Sequence, residues 1–408
     1  MKKQNPNEKK LADGMKRMKE KSVDAAKSKR VLNAIEEMIR AKGIDLADIG
    51  AIKKVSIYQQ VTKDAEGEFQ VHDLQAIQFS PAWEEGPKWE LPKPGPSVQI
   101  QKTDVKPKPN GGKKTAVIVP DIQIGYFRNE GGELIPTHDE RAIAIAMAMI
   151  TDIQPNQIVM LGDNLDLPEF GKYRLSPAFA LTTQASIDRA TTLCAELRSA
   201  APKAKIVWLA GNHEERLTNY ILDNAKAAFG ITKGNTPKAW PDMSVPSLCR
   251  MDEYGVEFES GYPAGRYLIN NQLACIHGNR VRSKGSTAHI YLNEQKLSVI
   301  YGHIHRIELA YRTRHDWDGA RTIMAASPGT LARIDGAVPS TKGGVDAWGR
   351  PKTVVEDWQQ GVGLVTYEDT GKNLFSYEVA TIYDGWAMFR GKEYDARKAK
   401  GPQLRAAS

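Results

Sequence analysis

Five short stretches of this chain set carboxylate, imidazole or carboxamide side chains directly after short apolar runs. The central one is Leu161-Gly162-Asp163-Asn164-Leu165-Asp166, which closes the run Gln157 to Met160. A buried strand running into Gly-Asp, with a second carboxylate three residues on, puts a ligand group at a strand's C-terminal end, where α/β sheets bind their ligands. The other four are Val119-Pro120-Asp121-Ile122-Gln123, Ala210-Gly211-Asn212-His213-Glu214, Cys275-Ile276-His277-Gly278 and Tyr301-Gly302-His303-Ile304-His305. Oxygen and imidazole donors of this kind suit divalent cations. Five junctions of one type in one order are not a chance pattern.

The order of these blocks resembles the calcineurin-like metallophosphoesterases, whose signature runs D-x-H, G-D-x-x-D, G-N-H-[DE], H, G-H-x-H. The resemblance spans about Lys114 to Glu308, and four of the five blocks fit fully. In the first block Gln123 stands where the family has His. The resemblance implies an α/β chain built as a two-sheet β-sandwich flanked by helices. It also implies two divalent metal ions, Mn2+ first, with Mg2+, Fe2+ and Zn2+ as alternatives. Asp163 would bridge the two metals. One would take Asp121, Gln123, Asp163 and His305, the other Asp163, Asn212, His277 and His303. His213 is expected to face the substrate rather than a metal, stabilising phosphate charge or protonating the leaving oxygen, with Asp166 orienting its imidazole. The attacking species would be a metal-bridging hydroxide, acidified by the two cations, with no covalent phosphoenzyme. An amide oxygen is neutral and less basic than imidazole, so Gln123 either ligates weakly and favours Mn2+ or Mg2+ over Zn2+, or hydrogen-bonds to the ligands from outside.

Protein Ser/Thr phosphatases of this superfamily follow the second block with Arg-Gly, and that Arg grips a phosphomonoester. Here Asp166 is followed by Leu167-Pro168, and the fifth block has the two His residues typical of the phosphodiesterase and nuclease branches. Asp-Ile-Gln-Ile-Gly resembles the opening of the repair-nuclease branch in a D-x-Q form similar to phage-encoded variants. The leading expectation is therefore a phosphodiesterase with a nucleic acid (a DNA nuclease) or nucleotide substrate. The runner-up is a small-molecule phosphodiesterase or phosphatase, for example on cyclic nucleotides. A third reading is a nucleic-acid-binding protein whose metal site is impaired at Gln123. Arg280, Arg282, Lys284 and Arg306 are candidate phosphate contacts, while His72, His138, His289 and His315 carry no motif and read as structural.

These loops must hang on strands and helices. The pattern predicts strands over 115–119, 157–160 and 205–209, alternating with helices over 141–153, 185–200 and 214–228, which are βαβ units on a largely parallel sheet. Strands are predicted over 266–269, 273–276, 298–301, 306–311, 322–325, 363–367 and 374–379. Gly and Pro make residues 331–359 an extended loop near the site. This catalytic domain is placed at 114–391, with a loose basic tail at 392–408.

Residues 1–80 read as a basic arm and a small α+β module. Helical spacing covers Val31 to Ile39 and stops near Gly43, a short second helix covers Asp45 to Ile52, and strands at 55–61 and 69–79 form a hairpin. Residues 81–113 are a proline-rich linker. The chain has 408 residues and a net charge of +7. Its first 30 residues hold eleven Lys or Arg against four Asp or Glu, an excess equal to the whole net charge, which suits a polyanion partner. Three scattered cysteines argue against a disulfide framework or a thiolate metal site. With no apolar leader and no membrane-length apolar run, the expectation is a soluble cytoplasmic protein, in the host cytoplasm if phage-encoded.

Overall fold

The computed structural model describes residues 49–63, 69–81, 112–172, 175–235, 240–282, 285–317, 319–339 and 356–398. The chain divides into two units, Met1–Lys93 and Pro94–Ser408. The helix expected over Val31 to Ile39 and residues 82–111 of the expected linker at 81–113 lie outside the described residues, while Pro81 ends a strand.

In the first unit β1 (Ile49–Lys63) pairs antiparallel with β2 (Phe69–Pro81). The hairpin is longer than its apolar alternation suggests. Ile49 to Ile52, expected to be helical, belong to β1, with an irregular register, because β2 continues to Pro81 and recruits them. Weak local helix propensity yields to backbone pairing there.

The central strands of the second unit are buried on both faces. In β3 (Lys114–Val119) Ala116 and Ile118 point to one core, Val117 and Val119 to another. A small hairpin, β4 (Tyr126–Arg128) and β5 (Leu134–Pro136), leads to α1 (Glu140–Ile153). Asp139 caps α1 by accepting from the Arg141 N–H at 2.9 Å, and the helix buries Ile143, Ile145, Met149 and Ile150. Next come β6 (Gln157–Met160), α2 (Thr183–Ala200), β7 (Lys205–Leu209), α3 (Glu214–Asn224), the single turn α4 (Val245–Leu248) and β8 (Val256–Glu259). β3, β6, β7 and β8 run parallel with helical crossovers. The remaining elements are β9 (Arg266–Asn270), β10 (Leu273–Ile276), α5 (Thr287–Glu294), β11 (Ser298–Tyr301), β12 (Ile307–Asp316), β13 (Gly319–Pro328), β14 (Gln360–Tyr367), β15 (Phe375–Tyr383), β16 (Trp386–Phe389) and β17 (Lys392–Asp395).

Two large sheets result, an eight-stranded one in the order β17-β16-β15-β14-β3-β6-β7-β8 and a five-stranded one in the order β12-β13-β11-β10-β9. Ala116, Ile118, Val159, Leu161 and Leu209 of the first meet Leu273, Cys275, Ile300, Met324 and Ala326 of the second. On the outer face of the first, Val117, Ile158, Met160, Ile206 and Trp208 pack under the helices; on the outer face of the second, Val299, Tyr301 and Ala325 pack with Ala288, Tyr291 and Leu292 of α5. The architecture is thus two packed sheets flanked by helices, as the motif resemblance implies. No described helix is long and apolar enough to cross a membrane.

Three local expectations change. The helix from Glu214 ends at Asn224, with a separate 3-10 turn at Lys226–Ala228. β4, β5, β8, β16 and α5 were not legible in the pattern. The tail expected to be loose from Lys392 begins with β17, an edge strand whose Tyr394 is buried and donates its hydroxyl to Asp152 at 2.9 Å. One aromatic among charged residues gave too little periodicity to show it.

Leu193 is 1% exposed in the core between α2 and the sheet, whereas Leu222 on α3 is 37% exposed. Leu193→Ala is expected to cost about 2–5 kcal/mol in urea unfolding, and Leu222→Ala to stay within about 0.5 kcal/mol. Equal losses would contradict this packing.

Candidate metal centre

All five ligand-bearing junctions follow the C-terminal ends of parallel strands: Asp121 after β3, Asp163 after β6, Asn212 after β7, His277 after β10 and His303 after β11. β3, β6 and β7 are neighbours in one sheet, β10 and β11 in the other, so packing the sheets face to face gathers the loops. The turns are tight. Gln123, Asp163, His303 and His305 all take the left-handed backbone conformation, with φ of 56°, 48°, 70° and 57°. Non-glycine residues hold such angles only where their surroundings enforce them, a pattern common at functional sites. Close approach also explains two motif glycines: a Cβ at Gly302 would meet Asp121 Oδ2 at 2.5 Å, and one at Gly211 would meet the Asp163 nitrogen at 2.5 Å.

Two groups of donors form around Asp163, one with His277 and His303, the other with Asp121 and His305, and the donor atoms within each lie within 4.8 Å of one another. Asp163 belongs to both, the position a bridging carboxylate requires. Its Oδ2 is 3.3 Å from His277 Nε2, and Asp121 Oδ1 is 3.2 Å from His305 Nε2. Asn212 Oδ1 lies 3.1 Å from His277 Nε2, on the side of the first group. Gln123 lies on the side of the second, its Nε2 3.5 Å from both Asp163 Oδ2 and His305 Nε2. A half-turn of that amide would present its oxygen instead. Asp121 Oδ2, Gln123 Oε1, His303 Nδ1 and His305 Nδ1 are buried without a hydrogen-bond partner among the described residues. Unpaired buried acceptors are costly, and cations would satisfy those turned toward them, so the residues present fit two divalent metals.

The local charge points the same way. Burial alone would keep Asp163 protonated, but the imidazoles of His213, His277 and His303 outweigh it and hold its carboxyl well below the usual range. Burial also opposes charge on His277, yet Asp163 and Asp121 prevail and lift it to about 9. Burial and the neighbouring His277 push His303 down to about 4. The carboxylates thus draw positive charge onto His277, and His277 in turn disfavours it on His303. His277 is further fixed because its Nδ1–H donates to the Leu161 carbonyl at 2.9 Å, which leaves Nε2 facing the carboxylates.

His213 is set apart from the donor groups. Its Nδ1 lies 3.0 Å from Asp166 Oδ1, close but without the direction of a hydrogen bond, and its Nε2 is 3.6 Å from Asp163 Oδ2. The ends of the expected 331–359 loop do reach the site: Thr330 Oγ1 and the Leu331 N–H both donate to the Asp121 carbonyl, and the Gln359 N–H donates to the His305 carbonyl. Residues 340–355 lie outside the described residues. Trp358 sets its ring edge-on to His305 with centroids 4.1 Å apart.

Two participants escape the motif reading. Glu214 is buried, and its carboxylate accepts from five N–H groups: the backbones of Asp163, Asn164, Leu165 and Gly211 and the indole of Trp208. It latches the Asp163 loop to the Asn212 loop. Its place in the fourth position of G-N-H-[DE] was visible, but its partners were not. Arg216, two residues on, contacts both His213 and Asp166. Conversely, Arg306 is not a free phosphate contact. It pairs with buried Glu308 at 3.2 Å and donates to the Arg282 carbonyl, while Arg280 pairs with Glu294. Lys284 lies outside the described residues. His138 is structural, as expected, lodged between the Gly125 carbonyl and Glu140.

No family model matches the sequence. Over 262 residues the chain is 22% identical to the Gene 54 protein of Mycobacterium phage D29, which covers 62% of this chain and 89% of that protein. Yfce, a phosphoesterase from E. coli, aligns with 62% of this chain and 91% of its own at 14% identity and a TM-score of 0.27. The chain resembles a calcineurin-like metallophosphoesterase. The motif order and the two donor groups sharing Asp163 carry that resemblance.

Glu214→Gln would turn an amide NH2 onto N–H donors and strand at least two of them, a loss of about 2–4 kcal/mol. Thermal unfolding should show the loss, and plasma emission spectrometry should show reduced metal content, because the two loops lose their common anchor. Unchanged stability together with unchanged metal content would rule out the latch.

Proposed function

We propose that this chain is a two-metal phosphodiesterase acting on nucleic acid or nucleotides. The observation that supports it most directly is the sharing of Asp163 between two adjacent donor groups, with a His-Asp pair beside them that belongs to neither. Cations bound there, Mn2+ the best match to this oxygen-rich set, would supply Lewis acidity toward the phosphoryl group and acidify water at neutral pH.

The chain's own residues supply positioning and proton handling. Asp121, Gln123, Asp163 and His305 would hold one cation, and Asp163, Asn212, His277 and His303 the other. The Leu161 carbonyl fixes the ring of His277, so its Nε2 stays aimed inward. His213 keeps Nδ1 toward the buried Asp166 carboxylate and presents Nε2 to the substrate, where it would stabilise phosphate charge or protonate the leaving oxygen. The Asp166 carboxylate, 3.0 Å from Nδ1, would stabilise the imidazolium that this role needs.

The preference for a diester rests on Leu167-Pro168 following Asp166 and on the paired His303 and His305. The preference for nucleic acid rests on the arm, since its excess of seven positive charges over residues 1–30 would release counterions on a phosphate backbone.

Asp163→Asn should abolish hydrolysis of a bis-ester chromogen in Mn2+ and lower metal content at both positions; wild-type turnover in this variant would sink the assignment. His213→Ala should slow turnover by roughly 10²- to 10⁴-fold with both metals retained. The slowing should shrink for a good leaving group such as p-nitrophenolate, and loss of metal would contradict the role. Deleting residues 1–30 should spare the chromogenic reaction and weaken DNA binding, flattening its salt dependence by about 0.9 log unit per tenfold salt for each duplex phosphate the arm had neutralised. Unaltered DNA affinity and salt slope would assign the site to small-molecule diesters instead.

A further inference from the structure

Arg216 occupies the atom that the proposed chemistry needs. Its Nη2 lies 2.7 Å from His213 Nε2, and because a guanidinium can only donate, the imidazole lone pair must accept. Its Nη1 is tied to Asp166, through the backbone carbonyl and through Oδ1 at 3.2 Å. The side chain is 22% exposed, whereas those of His213 and Asp166 are 4% and 0% exposed. The guanidinium therefore forms the outer wall of the His-Asp pair, between it and solvent. Any oxygen served by His213 Nε2 must come within about 3 Å of that nitrogen, so it arrives where Nη2 now sits. Nε2 accepts from Arg216 only while it carries no proton, and toward phosphate it must carry one, so the two contacts exclude each other.

We propose that Arg216 is a substrate-phosphate contact: when substrate enters, Nη2 leaves His213 Nε2 for a non-bridging phosphate oxygen, while Nη1 stays tethered to Asp166. On the guanidinium only hydrogen bonds are exchanged; His213 Nε2, once released, takes a proton from solvent, which its role toward phosphate requires. This rests on the phosphoesterase reading and deepens it by naming the residue that grips the phosphoryl group. It also answers an omission in the second motif. The position after Asp166 carries Leu167, and α3 brings a guanidinium to the same carboxylate from 50 residues away. The planar fork suits the task, since one edge can hold Asp166 while another N–H turns to phosphate. In the absence of substrate the same contact keeps His213 Nε2 engaged.

The test is the affinity of the Mn2+-loaded full chain for inorganic phosphate, measured by titration calorimetry, which needs no turnover. Arg216→Ala should weaken phosphate binding by about 10- to 100-fold, the usual worth of a charge-assisted hydrogen bond. Arg216→Lys, which keeps the charge and removes the fork, should recover part of that affinity. The KM for a bis-ester chromogen should rise by a similar factor with a smaller fall in kcat, and metal content should not change. Should Arg216→Ala prove unstable, Arg216→Gln against Arg216→Lys gives the same comparison, and equal phosphate affinity in those two would overturn the proposal. Wild-type phosphate affinity in Arg216→Ala, with kcat reduced and KM unaltered, would likewise overturn it and leave Arg216 a prop for Asp166. Failure of the wild type to hydrolyse either a diester or a monoester would strike the phosphoesterase reading instead, because the phosphate titration is read independently.

Discussion

The site depends on one buried carboxylate that is not itself among the expected metal ligands. Glu214 accepts from the backbone of three consecutive residues, Asp163 to Leu165, and from Gly211, so the turn after β6 and the turn after β7 share one anchor. Asp163 needs such an anchor because its backbone sits at φ 48°, which an Asp does not hold without enforcement. The cost of burying Glu214 is visible in its carboxyl, raised by desolvation and by the charge of Asp163. Five donors offset that cost, and the indole of Trp208 on β7 extends the same network into the core beneath the helices. A tight turn, a buried acid and a core tryptophan therefore form one unit, and the place of Asp163 between the two donor groups is its product.

The sequence made a good part of this legible, for a specific physical reason. Strands buried on both faces read as continuous apolar runs, and each run here ends in a residue type that has no reason to be buried unless it binds something. Asp121, Asp163, Asn212, His277, His303 and His305 were visible on that basis, and sheet-against-sheet packing brings them to one place. The edge elements were less visible. β17 is Lys-Glu-Tyr-Asp, a strand only because β16 pairs with it and Tyr394 finds the core. Ile49 to Ile52 join β1 because β2 extends far enough to pair with them. In both cases a neighbour distant or adjacent in sequence decides the conformation, and no local period records it. Arg216 and Glu214 belong to the same class: their residue types are ordinary on an amphipathic helix start, and only the fold reveals what they touch.

Charge explains why the ligand set can tolerate Gln123. Two carboxylates, Asp121 and Asp163, dominate the cluster, strongly enough to lift His277 to about 9 against the penalty of burial. Replacing an imidazole by a carboxamide beside them removes basicity without removing either negative charge. The amide is buried at 1% exposure, and its backbone N–H donates to the Asp163 carbonyl at 2.9 Å. Gln123 is thus built into the turn through its main chain whether or not its oxygen faces a cation. The departure from the motif pattern falls on a neutral donor and spares the charged ones, so both donor groups around Asp163 keep their carboxylates.

The same economy of charge bears on how phosphate would be held. Of the arginines that follow the second sheet's strands, Arg280 and Arg306 pair with Glu294 and Glu308, while exposed Arg282 donates to the Val281 carbonyl. Arg216 differs because the carboxylate it faces, Asp166, is already turned to His213. One negative charge is shared between an imidazole and a guanidinium, and the pair as a whole retains positive character whenever His213 carries a proton. That surplus lies beside the two donor groups, on the side where Asp163 Oδ2 and His213 Nε2 are 3.6 Å apart. An incoming phosphate would therefore meet cations on one side and a guanidinium with an imidazole on the other. Such an arrangement would hold the oxygens of a phosphoryl group without an arginine in the position after Asp166, where this chain has Leu167.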